Sequence, residues 1–344
     1  MAASRPPRSV TIEDVLNGRP AALTLFDGHS VLASREALRR AGVDGPRRFG
    51  SRSAVVCDER GRPTGHLLEE GAMRLVRSVI PASSFAARRR RLAALFMDGT
   101  VDGGTAWLHE PDCHGQSAAA YWRDPADYTE AVRVLARAGV QTATHAIGDA
   151  AVTHVLDTLA AVVPAGSQVR HRIEHIETLP CDQVPRFAEL GVVASMQPSH
   201  ATDYTRADHS DNWSRRLGPE RAGRAWRCRD ILDAGAVLTL GSDWPIAPFD
   251  PRVVMAAARL RRPASRPDLA PVGPSQALTG EQALHGYTAA PAVTAGTRGG
   301  RVAPGYLADL TAFGADPCRT TAEELPGVAV LLTVVDGMVR FRAD

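Results

Sequence analysis

The chain contains 344 residues, enough for one large domain with a smaller one beside it. Its 40 basic and 38 acidic residues leave a formal net charge of +2, so neither nucleic acid nor an anionic membrane surface is an expected partner. No run of about 18 apolar residues occurs, and no membrane span is predicted.

The basic residues are all arginine, because the sequence contains no lysine. Schiff-base chemistry, a P-loop lysine and a carboxylated lysine bridging two metals are therefore excluded. Five cysteines, none at C-x-x-C spacing, favour a reduced cytoplasmic protein. The first ten residues lack the apolar segment of a signal peptide, so none is predicted.

Three regions follow one another along the chain. Residues 1–90 are predicted to be mixed and loop-rich, with a short helix at Ser34–Ala41 that has Ser34 as its N-cap. Residues 91–297 are predicted to form the (β/α) barrel portion, and 298–344 a small C-terminal β-element.

In the central region, apolar runs alternate with stretches of helical spacing. Helices are predicted at about 128–139, 149–162, 181–190, 221–234 and 251–261, and strands at 140–145, 168–175, 192–196 and 236–240. This alternation is typical of βαβ units on a parallel sheet. The polar segment 198–220 is long for a connection and is predicted to form an active-site lid. In the last region, Val328–Val335 and Met338–Arg342 are predicted strands.

Successive predicted strand ends supply polar side chains. These are His145, His175, Gln197 with nearby His200, and Asp243. In a parallel α/β barrel the carboxyl ends of the strands meet at one mouth. Two imidazoles and a carboxylate suit a divalent metal such as zinc, and an open coordination position would make hydroxide available at neutral pH. Asp243 could then act as general base and general acid.

Each of these residues also has a purely structural explanation. A single histidine at a strand end is commonly a satisfied core or loop residue, and Asp243 could form an Asx turn or cap a helix. The segment His171–His175 matches the H-x-x-E-H motif of inverzincin proteases, which requires a helix. Its β-branched neighbours and nearby Pro180 favour a strand, in which His171 and His175 would lie about 13 Å apart.

At these residues the chain resembles the amidohydrolase superfamily, and within it the large branch of N-substituted formamide deformylase-like enzymes. The resemblance rests on the segments Phe26–Ser30, Leu95–Gly99, His145–Asp149, Arg170–His175, Gln197–His200, Leu217–Arg221, Gly241–Asp243 and Pro304–Asp309. It implies a metal-dependent (β/α)8 TIM-like barrel with a β-sandwich, hydrolysing non-peptide C–N bonds of amides or formamides. By motif, His145 and His175 would be metal ligands and Asp243 both ligand and catalytic base. His29, Gln197 and His200 would contact a small amide-type substrate.

The chain departs from the family pattern in ways that shape these expectations. The His-x-His pair of the first barrel strand is missing from the sequence, as is the lysine that many members carry before the Phe-x-Asp-Gly segment. We therefore predict a barrel that lacks roughly its first three strands, a sandwich remnant, and one zinc ion rather than two. The alternative is a catalytically inactive shortened member, acting as a binding or assembly protein or representing a decayed gene. A homo-oligomer is compatible with either.

Overall fold

The structure is a computed structural model that divides into two compact units, Met1–Ser84 and Phe85–Asp344. The residues that it describes are 12–13, 16, 18–24, 30–49, 53–79, 93–164 and 167–344. Each unit has its own hydrophobic core, as expected of separate folding units.

The described residues of the first unit form a four-stranded antiparallel sheet and two helices. Its strands are β1 (Ala22–Thr24), β2 (Ser30–Ala33), β3 (Ala54–Cys57) and β4 (Pro63–Leu68), in the order β1-β2-β4-β3, and its helices are α1 (Arg35–Arg40) and α2 (Glu69–Arg77). Ser34 caps α1 by accepting a hydrogen bond from the Ala37 amide, as predicted. The sequence suggested mainly loops here, because strands of three to six residues leave little alternation to detect.

The second unit is built on a parallel sheet of five strands in sequence order. The strands are β5 (Ala93–Phe96), β6 (Thr142–Ala146), β7 (Arg172–His175), β8 (Val193–Met196) and β9 (Leu238–Leu240). The helices are α3 (Pro125–Arg137), α4 (Asp149–Val162), α5 (Val184–Glu189), α6 (Pro198–Tyr204), α7 (Asn212–Leu217), α8 (Pro219–Ala222), α9 (Cys228–Asp233), α10 (Pro251–Leu260), α11 (Gly280–Tyr287) and α12 (Ala289–Thr294). The predicted alternation of strands and helices is therefore confirmed.

The two faces of this sheet have different surroundings. Ile173 and Met196 point to the helical side and belong to the main core together with Leu156 of α4. The register places His145 beside Phe96 on one neighbouring strand and beside Glu174 on the other. Because side chains alternate along a strand, these three residues share the opposite face. His145 and Glu174 thus lie on the non-helical side of the sheet, toward its carboxyl end.

The chain ends in a three-stranded antiparallel sheet, β10 (Leu310–Phe313), β11 (Val330–Val335) and β12 (Met338–Arg342). Both predicted C-terminal strands are present. Closure of the barrel and a C-terminal sandwich remain predictions, since the described part of the second unit has five parallel strands and this one small sheet. Among the described residues, no helix is long and apolar enough to cross a membrane.

Candidate metal centre

A cavity of about 700 Å³ opens where the strands of the parallel sheet end. His145 lies in β6, His175 is the last residue of β7, His200 follows β8 in α6, and Asp243 follows β9. All four side chains line the cavity, as expected for residues at the carboxyl ends of parallel strands. The structure therefore brings these four strand-end residues together at one cavity.

Within the cavity, His175, His200 and Asp243 come closest to forming a metal site. Each offers one ligand atom, and the three atoms lie within 4.8 Å of one another. The sequence suggested a different set of three, with His145 as ligand and His200 lining the pocket. His200 sits one helical turn beyond the strand end, so its spacing alone did not identify it as a ligand.

The donor atoms of this cluster suit a divalent cation. Nδ1 of His175 and Nε2 of His200 are buried without a hydrogen-bond partner in the described part of the chain. Nε2 of His200 lies 4.0 Å from Oδ2 of Asp243. Unsatisfied buried nitrogens facing a carboxylate are unfavourable unless a ligand satisfies them. These residues thus fit a bound metal ion such as zinc.

Both imidazoles of the cluster are held in the neutral form that binds metals. Burial lowers the pKa of His175 to about 3, and repulsion from His145 and His200 adds to the effect. Burial also lowers the pKa of His200, although the Asp243 carboxylate opposes this. Neutral imidazole has a free lone pair at neutral pH, so no proton must leave before a metal binds.

His145 lies beside the cluster, with its ring centroid 4.4 Å from that of His175. Its Nε2 is 3.0 Å from the carbonyl oxygen of Gly99, and burial lowers its pKa. The neutral ring must therefore carry its proton on Nε2 and donate it to Gly99, which leaves Nδ1 with the lone pair. This tautomer leaves Nδ1 without a proton, although His145 lies outside the group of three ligand atoms.

Asp98 supports the loops around His145. Its carboxylate is buried and accepts hydrogen bonds from the backbone amides of Trp107, Ile147 and Gly148. It also lies 3.7 Å from Nε2 of His145. Burial raises the pKa of Asp98 to about 7, although the three amide donors act in the opposite direction. Asp98 belongs to the Leu95–Gly99 segment but was not expected to have a role.

Glu177 is a second buried carboxyl group at the cavity. Trp213 of α7 donates a 2.7 Å hydrogen bond from its indole nitrogen to Oε2 of Glu177. The Glu177 carbonyl also accepts from the amide of Trp226, whose ring stacks on that of Trp213. Burial raises the pKa of Glu177 to about 8. Part of the polar segment predicted as a lid is thus attached directly to the end of β7.

The backbone bends sharply where two of the cluster residues sit. His175 has φ 75° and Asp243 has φ 55°, both in the left-handed region that non-glycine residues rarely adopt. Ile176, directly after β7, has φ 51°. A β-branched residue in this region is strongly unusual. These conformations turn the chain away from the sheet as soon as each ligand has been placed.

Comparison with known proteins assigns the chain to a family. The sequence model of the amidohydrolase family matches residues 89–341. The chain belongs to the amidohydrolase family. The match covers nearly all of the second unit and none of the residues described in the first.

Two curated relatives and one solved structure resemble this amidohydrolase. Protein LONG AFTER FAR-RED 3 of Arabidopsis thaliana is 31% identical over 252 residues, which is 70% of this chain and 41% of the relative. N-substituted formamide deformylase of Arthrobacter pascens is 29% identical over 232 residues, or 67% of this chain and 41% of that enzyme. The chain thus spans less than half the length of these relatives. An uncharacterized metal-dependent hydrolase from Pyrococcus horikoshii has the same fold, with a TM-score of 0.58 and 21% identity over 92% of this chain and 76% of that one.

The remaining sequence predictions for the amidohydrolase site have different outcomes. Gln197 is buried beside the cluster, with its amide nitrogen 3.4 Å from the Ser195 carbonyl, but it does not line the cavity. His29 lies outside the described residues. The protease interpretation of His171–His175 is wrong, because Arg172–His175 is the strand β7 and not the helix that the motif requires.

Proposed function

We propose that this amidohydrolase hydrolyses a non-peptide C–N bond of a small amide or formamide with the help of one zinc ion held by His175, His200 and Asp243. The observation that carries the proposal is the cluster of three ligand atoms within 4.8 Å, in a cavity with room for a substrate. The deformylase among the curated relatives acts on a formamide by its name, which agrees with this substrate class.

The proposal of one metal rests on the composition of the chain. A second ion would need further ligands, and the sequence offers neither a His-x-His pair nor a lysine that could be carboxylated. His145 is available through Nδ1 and would complete a set of three imidazoles and one carboxylate. Nitrogen-rich sets of this kind are typical of catalytic zinc sites.

Asp243 is the residue best placed to move protons. Its side chain is 42% exposed, in contrast to the buried imidazoles. A zinc ion at the cluster would supply Lewis-acid chemistry to a water molecule and to the substrate carbonyl. Asp243 would accept a proton from the water that adds to the carbonyl carbon, and would return it to the nitrogen as the C–N bond breaks. His175 and His145, both neutral, would contribute no charge of their own to the site.

Metal analysis of purified protein tests the ligand set directly. We expect close to one zinc per chain, and a dissociation constant raised by two or more orders of magnitude in His175→Ala, His200→Ala and Asp243→Ala, because each removes a direct ligand. His285→Ala is the matched control, since His285 is exposed on α11 and does not line the cavity.

Adding His145→Ala to these variants distinguishes the two possible sets of ligands. If His145→Ala abolishes binding and His200→Ala does not, the set suggested by the sequence is right and the cluster of the structure is wrong. A parent protein that binds no metal and hydrolyses no member of a formamide and amide panel would contradict the proposal and favour the inactive alternative.

A further inference from the structure

The large side chains of the 241–246 loop, which carries Asp243, are mostly exposed. Trp244 and Ile246 are 67% and 47% exposed, and Phe249 just beyond the loop is 74% exposed, so burial of large side chains contributes little to its position. A metal-binding side chain on such a loop would have no fixed position unless polar contacts held the loop. The loop therefore needs hydrogen bonds to a rigid element.

Helix α6 supplies one such contact. The hydroxyl of Tyr204 donates a 2.8 Å hydrogen bond to the carbonyl oxygen of Ile246. On the same helix, Nε2 of His200 lies 4.0 Å from Oδ2 of Asp243. His200 and Tyr204 are four residues apart on α6 and therefore lie on one face, with ring centroids 5.8 Å apart.

A tight turn connects Ile246, which accepts the Tyr204 hydrogen bond, to Asp243. The amide of Ile246 donates a 2.9 Å hydrogen bond to the carbonyl of Asp243. Holding the carbonyl of Ile246 thus limits how the left-handed residue Asp243 can move. One helix face would then fix both a ligand, His200, and the loop that carries the next ligand.

We propose that Tyr204 is a positioning residue whose hydroxyl holds the 241–246 loop so that Asp243 faces His175 and His200. This inference rests on the proposed function, because it assumes that these three residues bind a metal. Tyr204 itself binds no metal in this proposal. Without its hydrogen bond the loop would spend part of its time in arrangements that cannot bind, and the apparent dissociation constant would rise in proportion.

The substitution Tyr204→Phe removes the hydroxyl and keeps the ring. One net hydrogen bond corresponds to about a three- to tenfold loss of zinc affinity, measured by competition with a chromogenic chelator. Tyr121→Phe is the matched control, because Tyr121 is 75% exposed and its hydroxyl has no partner in the described part of the chain. We expect the control to bind zinc like the parent.

A double-mutant cycle separates positioning from general weakening. All four proteins of the cycle are compared by their affinity for Cu²⁺, because this ion binds imidazole more tightly than zinc does. In the Asp243→Ala background, Tyr204→Phe should cause no further loss of Cu²⁺ affinity. Unchanged affinity in Tyr204→Phe alone, or an equal loss with and without Asp243, would overturn the positioning role while leaving the proposed function intact. A parent that binds neither ion would overturn both.

Discussion

The buried carboxyl group of Glu177 makes the stability of the second unit depend on pH. Burial raises its pKa from 4.5 to about 8 in the folded chain. The folded state therefore holds this proton more tightly than the unfolded state does. The stabilisation is complete below pH 4.5 and is lost as the pH rises toward 8. At about 1.4 kcal/mol for each pKa unit, the loss is on the order of 5 kcal/mol.

The substitution Glu177→Gln should remove most of this dependence. Glutamine is neutral at every pH, and its carbonyl oxygen can still accept the hydrogen bond of Trp213. We expect the variant and the parent to have similar free energies of unfolding at pH 5, and the variant to be several kcal/mol more stable at pH 9.

Urea unfolding followed by tryptophan fluorescence, at pH values from 5 to 9 with a chelator present, measures the difference. Glu189→Gln is the control, because Glu189 is exposed at the end of α5 and should leave the pH dependence unchanged. Parallel curves for the parent and Glu177→Gln would refute the reasoning, since Glu177 would then be ionised in the folded chain at little cost.

Two further substitutions test the packing around the loops and the first unit. Gly148→Ala should lower the free energy of unfolding by about 1–3 kcal/mol, because an added Cβ would lie 2.1 Å from the carbonyl oxygen of Trp107. Gly327→Ala is the control, because a Cβ there meets nothing within 4 Å and should be nearly neutral. Urea unfolding compares the two, and equal stabilities would contradict the close approach. Ser34→Ala should cost about 2 kcal/mol in the first unit, since the Ala21 and Ala37 amides both donate to the Ser34 hydroxyl. Faster hydrogen exchange of these amides would reveal the loss, and unchanged exchange would exclude it.

The elements with long regular patterns could be predicted from the sequence. Helix α4 matches its predicted bounds, and β12 does as well, because each combines a clear apolar period with an unambiguous end. The predicted helix at 221–234 is instead the two short helices α8 and α9. The break falls at Trp226, which has φ 44° and donates its amide hydrogen bond to the carbonyl of Glu177, a long-range contact that a pattern of apolar residues cannot reveal.

The candidate site was predictable where chemistry and strand ends coincide. His145, His175 and Asp243 follow apolar runs, so the topology brings them together. Asp98 and Glu177 could not be found in this way, because their importance comes from burial and from partners such as Trp213, 36 residues away in the sequence. The choice between His145 and His200 as the third ligand depends on whose ring nitrogen comes within reach of His175 and Asp243, which the three-dimensional placement of α6 decides and strand spacing does not reveal.

The left-handed conformations of His175 and Asp243 set function against stability. A side chain at such a φ costs about 1 kcal/mol relative to glycine, which has no Cβ to strain. Glycine at either position would relieve this strain while removing the ligand. The two residues that the proposed metal site takes from these positions therefore carry a backbone cost that packing elsewhere in the second unit must offset.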